Sequence, residues 1–279
     1  MATVFIESFF LDSNLGKRFC VYHSIENKAK VQRAILLVPP FAEEMNKSRH
    51  MLSKLARTLA SHGYAVLLID LQGCGDSQGE FRDCSWENWL HDLAMAYMYL
   101  CQRTQLPISL LGVRLGALLA LDFLKVGNYP IDQLILWQPV INGRQFLNQF
   151  LRLRLAGDML SGKQNPTSGT QAIRNALLAG EVIEIAGYEL PPHLAAAIDS
   201  QKISDYLPLD YRLDWMEIQS TASVDISPLK KQVIDAWAQK GVNNKTTLIT
   251  GVEFWETQEI ENNPELIAST LQAFMQGNR

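Results

Sequence analysis

This 279-residue chain is poor in several features that would settle a function at once. It has four cysteines, Cys20, Cys74, Cys84 and Cys101, and no C-x-x-C pair among them. They read as reduced thiols, which fits a cytoplasmic setting. There is no long basic run, and the net charge is −4, which argues against nucleic acid as a partner. The first residues, MATVFIESFFLDSN, lack a basic start followed by an apolar core, so no signal peptide is expected. No histidine follows His193. His23, on an early strand, and His50, His62 and His91, on or beside helices, have no spacing that suits zinc; each reads as a surface or half-buried residue. No metal and no cofactor is implied. The apolar stretch Leu106 to Leu124 contains a Gly-x-x-x-Gly spacing, but Pro107 opens it and Arg114 would lie mid-bilayer. No transmembrane segment is expected.

What is present is a core. Hydrophobic residues make up 47% of the chain, enough to exclude disorder. Thr3–Phe10 and Arg18–Ser24 read as two antiparallel strands joined at Ser13–Gly16. RAILLV (33–38), AVLLID (65–70), Ile108–Leu111, Gln133–Trp137, Trp215–Gln219 and Lys245–Thr250 read as buried strands. Helical spacing recurs over Ser48–Ser61, Trp86–Arg103, Ala117–Lys125, Pro228–Gln239 and Pro264–Met275. Regular β–α alternation is broken once, from Asn142 to about Asp205. That stretch holds a helix around Phe146, Leu147, Phe150, Leu151 and Leu155 and a polar linker over Ser161–Thr170. An extended pair over Glu181–Leu190 and a short helix after Pro191-Pro192 follow. The expectation is an α/β fold with residues 1–141 and 206–279 as core and 142–205 as an inserted helical lid.

The segment PISLLGVRLGALLALDFLK (107–125) organises the rest. A strand runs into Gly112-Val113-Arg114-Leu115-Gly116 and out into a small-residue helix, which is the frame of a nucleophile elbow. The glycines are required where strand and helix backbones come too close for a Cβ. The residue at the tip is Arg114, and a guanidinium stays protonated at neutral pH and is no nucleophile.

The loop Asp70-x-x-Gly73-x-Gly75-x-Ser77 resembles one that many α/β-hydrolases carry. Three blocks resemble a narrower group, the second exosortase A system-associated hydrolase family: Pro39-Pro40-Phe41-Ala42-Glu43-Glu44-Met45-Asn46-Lys47-Ser48-Arg49, Gly112–Ala117, and Gly251-x-x-Phe254-Trp255-x-x-x-Glu259-Ile260. The resemblance implies an α/β-hydrolase fold, mostly parallel with helices on both faces. It also implies a bacterial setting of PEP-CTERM protein sorting and exopolysaccharide export, with a small molecule or a protein of that system as partner.

The elements of a serine hydrolase can be tested position by position, in the chain order nucleophile, acid, base. The nucleophile position is Arg114. The base position, four residues into Gly251-Val252-Glu253-Phe254, is Phe254. Asp225 precedes Pro228 closely enough to be a remnant of the acid, one residue out of register, but a helix-start residue favoured by the dipole is the preferred reading. Two backbone N–H groups, of Leu115 and Phe41, remain for an oxyanion corner. Cleft candidates are therefore Phe41, Glu43, Glu44, Arg49, Arg114, Leu115, Glu253 and Glu256. Two readings of Arg114 stand: a structural ion pair with Glu43 or Glu44, which is favoured, or recognition of an anionic ligand. The function expected is a non-catalytic or atypical member that binds a ligand or partner. The alternative is an ester or acyl hydrolase built on Glu43, Glu44 and Arg114. Cys74 has no histidine to activate it. Arg144, Arg152 and Arg154 beside Phe146, Leu147 and Leu151 form a basic amphipathic stretch suited to lid packing or to a membrane surface.

Overall fold

Successive residues of β3 (Arg33–Val38) divide between two apolar clusters. Ala34, Leu36 and Val38 join one; Ile35 and Leu37 join the other. A strand patterned this way carries helices on both faces. The computed structural model describes residues 3–160, 169–208, 210–219 and 225–276. Its main sheet has eight strands in the order β1-β2-β4-β3-β5-β6-β9-β10. β1 (Val4–Ser13) and β2 (Gly16–Ile25) form an antiparallel hairpin, and β2 joins β4 (Tyr64–Ile69) antiparallel. From β4 onward, through β5 (Ile108–Val113), β6 (Gln133–Trp137), β9 (Arg212–Gln219) and β10 (Asn244–Thr250), every pairing is parallel. This is the α/β-hydrolase fold.

α1 (Glu43–Ser61) and α8 (Pro264–Gln276) cover one face through Met51, Leu55, Leu266 and Phe274. α2 (Trp86–Thr104), α3 (Leu115–Gly127) and α7 (Pro228–Gln239) cover the other through Leu93, Leu118 and Trp237. The strand order reverses around β3, so the loops leaving β3 and β5 meet at a crevice outside the strands' carboxyl ends, where ligands bind in open α/β sheets.

Between β6 and β9 lie α4 (Gly143–Leu160), α5 (Gly169–Leu178), the hairpin β7 (Ile183–Ile185) and β8 (Tyr188–Leu190), and α6 (Pro192–Ser200). Phe146 and Phe150 of α4 pack edge-on against Phe41, at centroid distances of 5.8 and 5.0 Å, above the loop after β3. Arg154 on α4 is tied to Asp158 and the Glu184 carbonyl.

Two readings of the sequence need correction. α1 begins at Glu43 rather than Ser48, so Glu43 and Glu44 lie in a helical first turn and not in a loop. The pattern misses that turn because its only apolar residue is Met45. α5 is not anticipated either: a run of Gly, Thr and Gln opens it, and only Ile173 and Leu177 are buried. Most of the polar linker read over Ser161–Thr170 lies outside the described residues.

The glycine-rich loop after β4 is wired into the sheet. Asp70 Oδ2 accepts from Arg49 Nη2 (2.9 Å) and the Asp76 amide (3.0 Å). Ser77 Oγ donates to the Asp70 carbonyl (2.5 Å) and accepts from the Phe19 amide (2.8 Å). Beneath it, Arg18 Nε meets Asp92 Oδ1 at 2.7 Å with both side chains wholly buried, and Asp92 Oδ2 accepts from the Gln72 amide at 2.7 Å.

Candidate functional site

The elbow is built as its sequence requires. A Cβ on Gly116 would lie 2.3 Å from the Pro39 carbonyl oxygen, and one on Gly112 2.7 Å from Ala117 Cα. Arg114 sits at the tip with φ 55° and ψ −118°, a conformation that costs an ordinary residue about 1–3 kcal/mol. Hydrogen bonds hold it there: its amide donates to the Trp137 carbonyl (2.9 Å), and its carbonyl accepts from Ala117 (3.1 Å) and Val140 (3.2 Å). Ala42, which precedes α1, has nearly the same backbone angles, φ 50° and ψ −124°. The two helices α1 and α3 thus start side by side from matching strained turns.

That juxtaposition decides the partner of Arg114. Glu44, the second residue of α1, takes Nη2 at 3.0 Å and Nε at 3.2 Å on Oε1. Arg114 Nη1 donates to the Gln138 carbonyl (3.4 Å), and the guanidinium lies 5.1 Å from the Trp255 ring centre. A carboxylate in a helix's first turn is favoured by the dipole, and here it also neutralises a cation at the start of a second helix. Burial raises the Glu44 pKa, and the attraction of Arg114 offsets only part of that rise.

The guanidinium borders a cavity of about 290 Å³ lined by Glu43, Glu44, Lys47 and Glu256 on one side and Phe41, Phe146 and Phe150 on the other. Burial raises Glu43, with Lys47 opposing; Glu43 Oε2 is sealed from solvent and unpaired. Glu253 is raised by burial first and by Glu256 second. Two carboxyl groups that line the cleft, Glu43 and Glu44, therefore hold their protons more tightly than usual; Glu253, a cleft candidate from the sequence, is not among the lining residues. The backbone bonds around the elbow use the Phe41 carbonyl but neither the Phe41 nor the Leu115 amide, so both oxyanion-type donors are free of backbone partners among the described residues.

The family model of the serine aminopeptidases, S33, matches residues 29–178. The chain belongs to this family of hydrolases. A search of curated proteins finds no match. Among solved structures, Est1E from Butyrivibrio proteoclasticus with ferulic acid bound is similar, with a TM-score of 0.68 at 17% identity over 96% of this chain and 98% of its own. A thermostable carboxyl esterase from Bacillus coagulans, in complex with glycerol, gives 0.64 at 14% identity over 99% of both chains. The thioesterase domain of the curacin biosynthetic pathway gives 0.56 at 14% identity, over 97% of this chain and 99% of that one. At these identities the likeness is one of fold.

Within that family's frame the other positions fall as follows. Phe254 is wholly buried, edge-on to Trp137 (6.2 Å) and Trp255 (4.9 Å), in the core under α1 and α8. Asp225 is exposed and borders a separate depression beside Lys231 and Asp235. Arg49 does not belong with Arg114: it is paired to Asp70 and lines a different cavity. Leu115 faces a small apolar pocket behind Phe41. Cys74 is buried, and its pKa is raised by a hydrogen bond with Cys84 and then by burial, so it carries no thiolate. His23 is buried, against the expectation of a surface or half-buried residue. Two parts of the site were not singled out from the sequence. Trp255 had a signal in its motif block. Gln138 had none, since only its position after β6, with φ 43°, brings its carbonyl to Arg114. No helix among the described residues is long and apolar enough to cross a membrane.

Proposed function

We propose that this chain is a binding member of the hydrolase family, with Arg114 closing the site where a nucleophile would act. The observation that carries the reading is the Arg114–Glu44 pair on the elbow, seated over Trp255 and bonded to Gln138. A cation already satisfied by a carboxylate, a carbonyl and an aromatic face supplies no nucleophile, and Phe254 supplies no base. The ligand occupies the cleft between Phe41 and the α4 aromatics, with residues 142–205 acting as its lid. The three motif blocks favour a place in the exosortase-associated group, so the ligand or partner belongs to protein sorting or exopolysaccharide export in the cytoplasm.

A second reading rests on the raised pKa values of Glu43, Glu44 and Glu253. A carboxyl whose pKa is raised keeps its proton to higher pH than usual and can donate it, and these three would serve a hydrolase of unusual constellation. One experiment separates the two. The protein is incubated with a fluorophosphonate probe and with a panel of p-nitrophenyl esters from pH 5 to 9, beside Arg114→Ser and Glu44→Gln. The binding reading expects no adduct at the elbow, no turnover in the parent chain, and none gained in Arg114→Ser, because Phe254 still fills the base position. Turnover abolished by Glu44→Gln would establish the hydrolase.

A further inference from the structure

A second cavity, of about 240 Å³, lies between α1 and the sheet face of β1, β2 and β4. It shares no lining residue with the Arg114 cleft. Its floor is apolar: Val21 of β2 and Leu68 of β4 sit opposite each other in the ladder and both line it. Ile6, at 44% exposure, lies at its edge and opens it to solvent.

The polar groups are few and unevenly satisfied. His23 is 2% exposed, and its Nδ1 has neither solvent nor a hydrogen-bond partner. Buried ring nitrogens are ordinarily paired, so this one lacks a partner the fold itself does not provide. Burial, and next the charge of Arg57, lower its pKa to about 4, so the ring is neutral at pH 7. Arg57 is exposed on α1, one turn after Ser53, and both line the cavity. No carboxylate among the described residues pairs with Arg57. The other charges present cancel: Arg49 is held by Asp70, whose carboxylate also accepts the Asp76 amide. The cavity therefore presents one uncompensated guanidinium above an apolar floor, and its wall includes the His23 imidazole, whose Nδ1 is unpartnered.

We propose that this cavity binds a small amphiphilic carboxylate, its apolar tail on Val21 and Leu68 and its head group on Arg57 and His23. A guanidinium donates a fork of N–H groups to a carboxylate, and a neutral imidazole adds one more donor. A cation would meet Arg57 unfavourably, and a neutral chain of the same length would leave both donors unused.

Calorimetric titration of the full chain with octanoate, octanol and octylammonium tests this. Octanoate binds one to one, at least tenfold tighter than octanol, and octylammonium does not bind. Arg57→Ala, on an exposed helical surface, weakens octanoate at least tenfold. Ser53→Trp fills the cavity and abolishes binding. His23→Phe weakens binding while the melting temperature holds or rises, because it removes an unpartnered buried nitrogen. Arg114→Ala, in the other cleft, leaves octanoate affinity unchanged, whatever becomes of the reading of that cleft. The proposal is overturned by absence of octanoate binding, by equal binding of octanol, by full affinity in Arg57→Ala, or by loss of binding in Arg114→Ala. It is also overturned if His23→Phe melts lower with its affinity intact, which assigns His23 to the core alone.

Discussion

Arg18 and Arg114 each meet a carboxylate, but the two pairs serve opposite surroundings. Arg18–Asp92 has no exposed side-chain surface, whereas the Arg114 and Glu44 side chains keep 13% and 14% of theirs. The first is enclosed by backbone groups of the β1–β2 turn and the glycine-rich loop: Arg18 also donates to the Leu15 carbonyl, and Asp92 accepts the Gln72 amide. The second borders a cavity and leans on an aromatic ring. A pair sealed within the chain can only hold the fold, whereas a pair at a cleft is still exposed to whatever enters. Burial raises the pKa of both carboxyls despite the attached arginine. For buried pairs the cost of desolvation rivals the attraction, so breaking one by removing a single partner is more damaging than its net contribution suggests.

The largest expected effect follows from that. Asp92→Ala strands Arg18 in the core and should cost about 3–5 kcal/mol, read from urea unfolding. A loss comparable to a surface substitution would show that water reaches Arg18 and that the contrast with the elbow is false. Glu44→Ala should cost less, about 1–3 kcal/mol, because Arg114 retains the Gln138 carbonyl, the Trp255 face and some solvent. Equal losses in the two variants would erase the distinction.

A smaller effect concerns pH. Glu43, Glu44 and Glu253 have raised pKa values in the fold, so between the ordinary carboxylate range and those raised values the native chain binds more protons than the unfolded one. Their contribution to stability is full below the unfolded pKa and is lost as pH rises through the folded values. Glu253→Gln should flatten that decline, gaining melting temperature relative to the parent at pH 7 compared with pH 4. A steeper decline in the variant would mean that Glu253 is stabilised as an anion, with Arg114 as the nearby cation. The smallest effect belongs to the exposed pair of Arg82 and Glu189, which ties the loop before α2 to β8. Glu189→Ala should leave the unfolding midpoint unmoved, since solvent and salt screen such pairs; a clear loss would show that exposure is a poor guide here.

How much was readable from residues alone varies with the kind of interaction. Buried strands such as Arg33–Val38 and Gln133–Trp137 fall where their apolar runs place them, because burial on both faces demands an unbroken run. The elbow was legible through Gly112 and Gly116, whose missing side chains meet backbone at less than 3 Å. The start of α1 was not, since Glu43-Glu44 follows a double proline and contributes no apolar spacing. Nor was the fate of Arg49, which lies in the same motif block as Glu44 but points to Asp70. Helical rotation over five residues sends the two side chains to different cavities, and a linear motif does not record that rotation.

The sequence by itself determined the fold class, the elbow and the absence of serine and histidine from their usual positions, because these follow from local spacing and residue chemistry. Tertiary structure alone decided that Glu44 rather than Glu43 holds Arg114, that Trp255 lies beneath it, and that His23 is buried without a partner for Nδ1. Each of those depends on which strands the sheet places side by side and how far each helix has turned. Those are properties of packing between segments distant in the chain, and short-range sequence pattern carries no measure of them.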